Sequence, residues 1–152
     1  MSDRLSIRAL KAQIGKELIL SDWLTMTQDR IDAFAACSED RQWIHVDPER
    51  AAAGPLKGTV AHGFLVLSLI PHWLAESSIF QARFRMAVNY GLDRVRFVRP
   101  VRPGQRIRLR AVLHEVERKG FFRLLLKIGA TVEIEGQAKP ALAAEVLGLI
   151  VL

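Results

Sequence analysis

The sequence predicts an α+β fold in which a long antiparallel sheet covers one buried helix. Residues 63–75 are apolar almost all round, which is typical of a helix in the core. Residues 106–134 alternate between apolar and polar side chains around a turn, which indicates a two-stranded hairpin. A long sheet must bury its apolar face, and one helix packed against it does so. The length suits one domain, and we expect residues 1–152 to form it.

Helix signals dominate the first half of the chain. Thr27 is suited to cap a helix that runs to about Cys37 and carries apolar side chains at helical spacing. A second, short helix is expected to begin at residues 47–49, where a capping aspartate, a first-turn proline and a first-turn glutamate follow in the favoured order, and to end before Gly54-Pro55. The third helix is the apolar one, from about residue 62 to residue 76, and we expect it to be buried on all sides.

Strand signals fill the second half. The hairpin has its turn at about residues 117–120. Further strands are expected over residues 17–26, 84–90, 92–97 and 141–152. The last of these is apolar on both faces, which suggests that a second subunit covers its outer face.

Composition excludes several classes of protein. Hydrophobic residues make up 50% of the chain and charged residues 25%, a balance that excludes intrinsic disorder. No apolar run reaches the roughly 18 residues that a membrane span needs. The chain has one cysteine, Cys37, and its first residues do not resemble a secretory signal. We therefore expect a cytoplasmic protein without a membrane partner.

Positive charge is concentrated between Arg83 and Arg123, where eleven arginines and one lysine stand against three acidic residues. This pattern fits a solvated sheet face, a site for a phosphate-bearing small ligand, or a nucleic-acid surface. Nucleic acid ranks last of the three, because the aromatic residues of this stretch alternate like core residues instead of standing exposed for base stacking. We expect no nucleic-acid partner.

The residues best suited to acid/base chemistry are Asp40 and His45, which stand between the first two predicted helices. Loops held between rigid elements often carry catalytic groups. Histidine titrates near neutral pH, and a carboxylate beside it can orient the ring or share a water molecule. The alternative is structural: Asp40 closes the first helix, and His45 makes a hydrogen bond within a loop.

A second candidate lies where a glycine-bearing loop, residues 54–63, enters the buried helix. The first N–H groups of a helix have no helical partner, and Gly63 has no side chain to keep a ligand away. Its N–H is therefore suited to bind a carbonyl oxygen that becomes negative. Gly63 is equally suited to close packing alone, and His62 to a structural hydrogen bond. The sequence has no phosphate-binding loop, nucleophile elbow or cysteine cluster, and we expect no metal and no bound cofactor.

Three motifs in order resemble the MaoC-like dehydratase family, which includes the (R)-specific enoyl-CoA hydratases. The motifs are Phe34-Ala35…Ser38-x-Asp40-x4-His45-x-Asp47-Pro48…Ala51, then Ala61-His62-Gly63, then Asn89-Tyr90-Gly91-Leu92-Asp93-Arg94-Val95-Arg96-Phe97 with Pro100-Val101-x2-Gly104. Trp43 and the Asn-Tyr-Gly segment are more similar to the nodulation protein N-like branch. The resemblance covers roughly residues 20–115, and it departs from the family at Glu39, where a glycine is usual.

The resemblance implies a hot-dog fold and a homodimer with its active sites at the subunit interface. It implies a hydro-lyase that hydrates trans-2-enoyl-CoA to (R)-3-hydroxyacyl-CoA, reversibly. Asp40 and His45 would hold the reacting water, and the Gly63 N–H would bind the thioester carbonyl. Coenzyme A enters as part of the substrate, and its phosphates would give the arginine-rich strands a use. The further residues expected to contact substrate are Gln42, His62, Asn89 and Tyr90.

Two other functions remain open on the same fold. One is an acyl-CoA thioesterase, which would hydrolyse the thioester and release a free thiol. The other is a non-catalytic acyl-CoA binding subunit, for which Glu39 is the one hint in the sequence.

Overall fold

The computed structural model of the chain describes residues 6–81 and 84–152, so Arg83 of the basic stretch lies outside the described residues. The helices are α1 (Ile7–Lys11), α2 (Gln28–Ser38), α3 (Trp43–Val46), α4 (Pro48–Ala53), α5 (Gly63–Ser68), α6 (Ile70–Leu74) and α7 (Ser78–Gln81). The strands are β1 (Glu17–Leu20), β2 (Leu24–Thr25), β3 (Met86–Phe97), β4 (Arg106–Arg118), β5 (Arg123–Ile134) and β6 (Leu142–Val151). Among these residues no helix is long and apolar enough to cross a membrane.

Two predicted helix starts are confirmed by their caps. The Thr27 hydroxyl accepts the N–H of Arg30 at 3.2 Å and begins α2. The Asp47 carboxylate accepts the N–H of Arg50 at 3.0 Å and begins α4. Helix α3 was not expected, so the prediction that His45 lies in a loop is wrong: it lies in this one-turn helix.

The long apolar helix is divided in two. The helix is interrupted at Leu69: α5 ends at Ser68 and α6 begins at Ile70. Pro71 has no N–H to offer the carbonyl of Leu67, which is one reason why a continuous helix fails here. The expectation of burial on all sides is wrong at Phe64, whose side chain is 66% exposed, while Trp73 is buried as expected.

All pairing in the sheet is antiparallel, in the order β1-β4-β5-β6-β3, with β2 also pairing with β4. The first strand, expected over 17–26, is broken into β1 and β2, because the Ser21 hydroxyl accepts the Leu109 N–H at 2.9 Å in place of a strand carbonyl. The two strands expected over 84–97 are one, β3, with shifts of register between Asn89 and Gly91 and between Asp93 and Arg96.

The core lies between one face of the sheet and helices α5 and α6. Along β4, β5 and β6, buried residues alternate with partly exposed ones. The buried residues face the helices and form one cluster with Leu65, Ile70 and Trp73. The outward-facing residues of β6 are half-buried in the single chain. These features confirm the predicted α+β fold class.

The basic stretch contains ion-paired arginines and exposed aromatic residues. On β4, three arginines are in ion pairs with glutamates: Arg106 with Glu135, Arg108 with Glu133, and Arg110 with Glu133 and Glu17. The hydrogen bond from Arg110 is the main cause that lowers the pKa of Glu133. The expectation that the aromatic residues of the stretch are core residues is wrong for Tyr90, Phe97, Phe121 and Phe122, which are 60%, 49%, 84% and 70% exposed, whereas Phe84 packs against the core.

Candidate active site

Asp40 follows the end of α2, where the chain turns sharply. Glu39 has a left-handed backbone, with φ of 66°, and ends the helix in the conformation that glycine most often supplies. A non-glycine residue in this conformation costs about 1–2 kcal/mol. The turn leaves the Asp40 side chain 54% exposed, so its carboxylate can reach solvent.

His45 is held in a single tautomer by its backbone partner. Its Nδ1 lies 2.6 Å from the carbonyl oxygen of Val60, and because a carbonyl can only accept, Nδ1 carries the proton. In the neutral ring, Nε2 therefore keeps its lone pair. Burial lowers the pKa of His45 below 6.5, and the hydrogen bond to Val60 opposes this only in part. The neighbouring His62 adds to the lowering, and Asp40 opposes it.

His62 immediately precedes α5 and connects the two candidate groups. Its ring stacks on that of His45, with centroids 3.7 Å apart and planes at 23°. Its Nε2 donates to the Asp40 carbonyl oxygen at 2.9 Å and lies 4.0 Å from a carboxylate oxygen of the same residue. The ring is only 2% exposed, and its centroid lies 5.0 Å from that of the Phe34 ring.

Gly63 is covered by the ring of Phe97. A Cβ at position 63 would stand 2.7–2.8 Å from three atoms of that ring, so only glycine fits without movement. Both residues border a cleft of about 340 Å³, together with Arg99. As the first residue of α5, Gly63 has an N–H that no carbonyl of its own helix can accept.

The other predicted substrate residues lie further out. Gln42 is exposed at the start of α3, where its N–H is 3.5 Å from an Asp40 carboxylate oxygen. Asn89 and Tyr90 are on β3, and Asn89 borders a separate apolar cleft of about 300 Å³ beside α5 and α6. The structure therefore brings Asp40, His45 and His62 together, with Gly63 next in the chain, and leaves Asn89 and Tyr90 on the sheet edge.

Three of these residues also offer possible metal ligands. One ligand atom from each of Asp40, His45 and His62 lies within 4.8 Å of the others. The two imidazole rings are stacked, with their centroids 3.7 Å apart and their planes at 23°. His45 and His62 also each commit one nitrogen to a backbone carbonyl. The cluster is better suited to proton transfer than to holding a metal.

The sequence did not predict how closely His62 joins the pair. His62 is 22 residues from Asp40, and no local pattern shows that its ring contacts both Asp40 and His45. Its place in the Ala61-His62-Gly63 motif was the one available signal. The covering of Gly63 by Phe97, from a distant strand, had no signal at all.

Comparison with known proteins shows the family of the chain. A family profile described as "MaoC like domain" matches residues 9–135. The 3-hydroxyacyl-thioester dehydratase Z of Mycobacterium tuberculosis (strain H37Rv) is 46% identical over 140 residues, 92% of each chain. Nodulation protein N of Rhizobium leguminosarum bv. viciae is 45% identical over 147 residues, 96% of this chain and 91% of that one.

A solved structure supports the fold. The (R)-hydratase from A. caviae involved in PHA biosynthesis superposes with a TM-score of 0.68 at 21% identity, covering 86% of this chain and 96% of that one. At that identity the likeness shows the fold alone, and it confirms the hot-dog fold expected from the sequence. The profile and the two relatives confirm the resemblance, and the profile and the dehydratase relative confirm the expectation of a hydro-lyase. The chain belongs to the MaoC-like dehydratase family.

Proposed function

We propose that the protein adds water to trans-2-enoyl-CoA thioesters, giving (R)-3-hydroxyacyl-CoA, and catalyses the reverse dehydration. The observation that carries the proposal is the pairing of the exposed Asp40 carboxylate with a buried His45 of fixed tautomer. A carboxylate oxygen of Asp40 and a ring nitrogen of His45 lie within 4.8 Å of each other, a gap that one water molecule can bridge. The relative named as a 3-hydroxyacyl-thioester dehydratase supports the choice of substrate class.

The proposed mechanism uses the two side chains and one backbone N–H. His45 Nε2 accepts a proton from the bound water as its oxygen bonds to C3 of the enoyl group. The electrons of the double bond move toward the thioester oxygen, where the Gly63 N–H stabilises the negative charge. The Asp40–His45 pair then returns a proton to C2. Hydration is redox-neutral, and we propose that it proceeds without a metal or redox cofactor.

We propose Arg99 as the arginine that meets the phosphates of coenzyme A. It borders the same cleft as Gly63, where the thioester carbonyl is proposed to bind. The arginines on β4 are already paired with glutamates, which leaves them less suited to a phosphate. Arginine binds phosphate through several N–H groups of fixed geometry.

We also propose that the protein is a cytoplasmic homodimer of single-domain subunits that pair through β3. This strand is at an edge of the sheet and has β6 as its sole described partner, although it is twelve residues long. It exposes the large apolar side chains Met86, Val88, Tyr90, Leu92 and Phe97. A long, apolar, unpaired edge is a template for pairing with another chain.

Replacing either member of the pair should abolish most of the hydration. We expect Asp40→Asn and His45→Asn each to lower kcat about a hundredfold or more, the usual contribution of a general acid or base. Asparagine at position 45 can still donate to the Val60 carbonyl, so the fold is retained. The measurement is the loss of enoyl-thioester absorbance with crotonyl-CoA, with chiral analysis of the product.

Glu39→Gln is the matched control, because it removes the adjacent carboxylate, which is 80% exposed, and should change the rate by less than about threefold. Release of free thiol in place of hydration would indicate a thioesterase. Binding of acyl-CoA without turnover at any chain length would indicate a binding subunit. Either result would refute the hydratase proposal.

The hydration rate should persist below the pH at which an ordinary histidine becomes protonated. Because the pKa of His45 in the folded protein is lower than 6.5, the base stays neutral as the pH falls through this value.

The stability of the protein should depend on pH for the same reason. The His45 side chain of the unfolded chain binds a proton at a higher pH than that of the folded protein, so the free energy of unfolding should fall as the pH drops below 6.5. Urea unfolding at about pH 7.5 and about pH 5.5 should show a smaller decrease for His45→Asn than for wild type. A pKa of His45 at or above 6.5 by NMR titration would contradict the prediction.

Arg99→Ala should raise the KM for crotonyl-CoA about tenfold, because the variant loses a charge-assisted contact with phosphate. It should leave the KM for the crotonyl thioester of N-acetylcysteamine unchanged, since that substrate has no phosphate. Arg106→Ala is the control: Arg106 is in an ion pair with Glu135 on the sheet, and its replacement should leave both KM values unchanged. Equal effects of Arg99→Ala on the two thioesters would show that Arg99 does not bind phosphate.

The chain should have twice its own mass in solution, as measured by size exclusion with light scattering. Leu92→Lys should shift it toward the monomer, because a lysine on the paired edge would be buried in the interface. Ile14→Lys is the matched control: the two side chains are 44% and 42% exposed, but Ile14 lies outside β3. A monomeric wild type at micromolar concentration would rule out the dimer.

A further inference from the structure

His62 is a buried side chain to which the proposed mechanism assigns no role. Its ring contacts the rings of His45 and Phe34 and is 2% exposed. A residue so enclosed has almost no surface on which to meet a substrate. Its polar contact is instead with the main chain of Asp40, through Nε2. The sequence had suggested a substrate contact for this residue, and the burial points to another role.

The segment from Glu39 to Gln42 has few other attachments. Apart from the bond to His62, its hydrogen bonds among the described residues are local: Arg41 N–H to the Glu39 carbonyl, Asp40 N–H to Ser38, Gln42 N–H to Asp40 itself, and His45 N–H to the Gln42 carbonyl. The bond from His62 is the long-range hydrogen bond that ties this segment to the rest of the protein. It holds the main chain from which the Asp40 side chain extends.

We propose that His62 is a positioning residue that sets the Asp40 carboxylate and the His45 ring against each other. Through Nε2–H it fixes the peptide plane that follows Asp40, and through its face it fixes the plane of His45. The inference rests on the proposed function, because it concerns the geometry of the same acid/base pair.

The unused nitrogen of the ring makes the proposal testable. Nδ1 of His62 is buried and has no hydrogen-bond partner among the described residues. Among the described residues, the hydrogen bond from Nε2 is thus the one polar contact that this side chain makes within the site. A glutamine amide reaches about as far as Nε2, whereas an asparagine amide reaches only as far as Nδ1. His62→Gln should keep the bond to Asp40, and His62→Asn should lose it.

The experiment compares kcat and KM for crotonyl-CoA in the wild type and both variants. We expect His62→Asn to lower kcat by about tenfold to a hundredfold, the usual effect of a slightly misplaced catalytic group, with KM within about twofold. His62→Gln should retain kcat within about threefold. In an Asp40→Asn background, His62→Asn should cause no further loss.

Three results would overturn the proposal. A rise in KM alone would make His62 a substrate contact. Equal losses in the two variants would show that the donor is not what matters. A further loss in the Asp40→Asn background would show that His62 does not act through Asp40.

A measurement without substrate separates this inference from the proposed function. An inactive wild type would refute the hydratase but leave the hydrogen bond to be tested. Nitrogen-15 NMR of the imidazoles of the wild type should show the His62 proton on Nε2, and a proton on Nδ1 would overturn the positioning role. The same measurement decides the question if His62→Asn does not fold.

Discussion

The site depends on the attachment of the one-turn helix α3 to the segment that enters α5. Two hydrogen bonds join them: His45 Nδ1 donates to the Val60 carbonyl at 2.6 Å, and the Val60 N–H donates to the Ile44 carbonyl at 3.0 Å. A helix this short has little stability of its own, so these tertiary contacts determine where His45 lies. They determine its tautomer as well, and with it the nitrogen that can act as a base.

One side chain from α2 reinforces this attachment. Gln28 donates through Nε2 to the His45 carbonyl at 2.7 Å and accepts the Thr59 hydroxyl at 2.6 Å. Helix α2, which ends two residues before Asp40, is thus linked to both segments that carry the histidines. The acid, the base and the residue between them form one connected unit, although His62 is 22 residues from Asp40. Such a unit keeps catalytic groups at a fixed spacing, on which proton transfer depends.

The parts of the structure that the sequence could predict were those with local causes. Thr27 and Asp47 accept N–H groups three residues away, and the alternation of β4 and β5 reflects burial on one face. The contacts that the sequence could not predict join distant residues. Arg108 meets Glu133 only because of the register of two strands, and His62 meets Asp40 only because α5 begins beside α2. Asp40, His45 and Gly63 could be selected as candidates because motifs marked them, but their distances could not.

Glu39 shows how a departure from a family pattern can leave a site unchanged. Its backbone is left-handed, so the residue follows the path that a glycine would take, at a cost of about 1–2 kcal/mol. Its side chain is 80% exposed and lies 3.9 Å from Arg41, on the solvent side of the turn. The carboxylate therefore does not fill the space between Asp40 and His45. The departure acts on the energy of the turn and not on the acid/base pair, and so it gives no structural reason to regard the site as inactive.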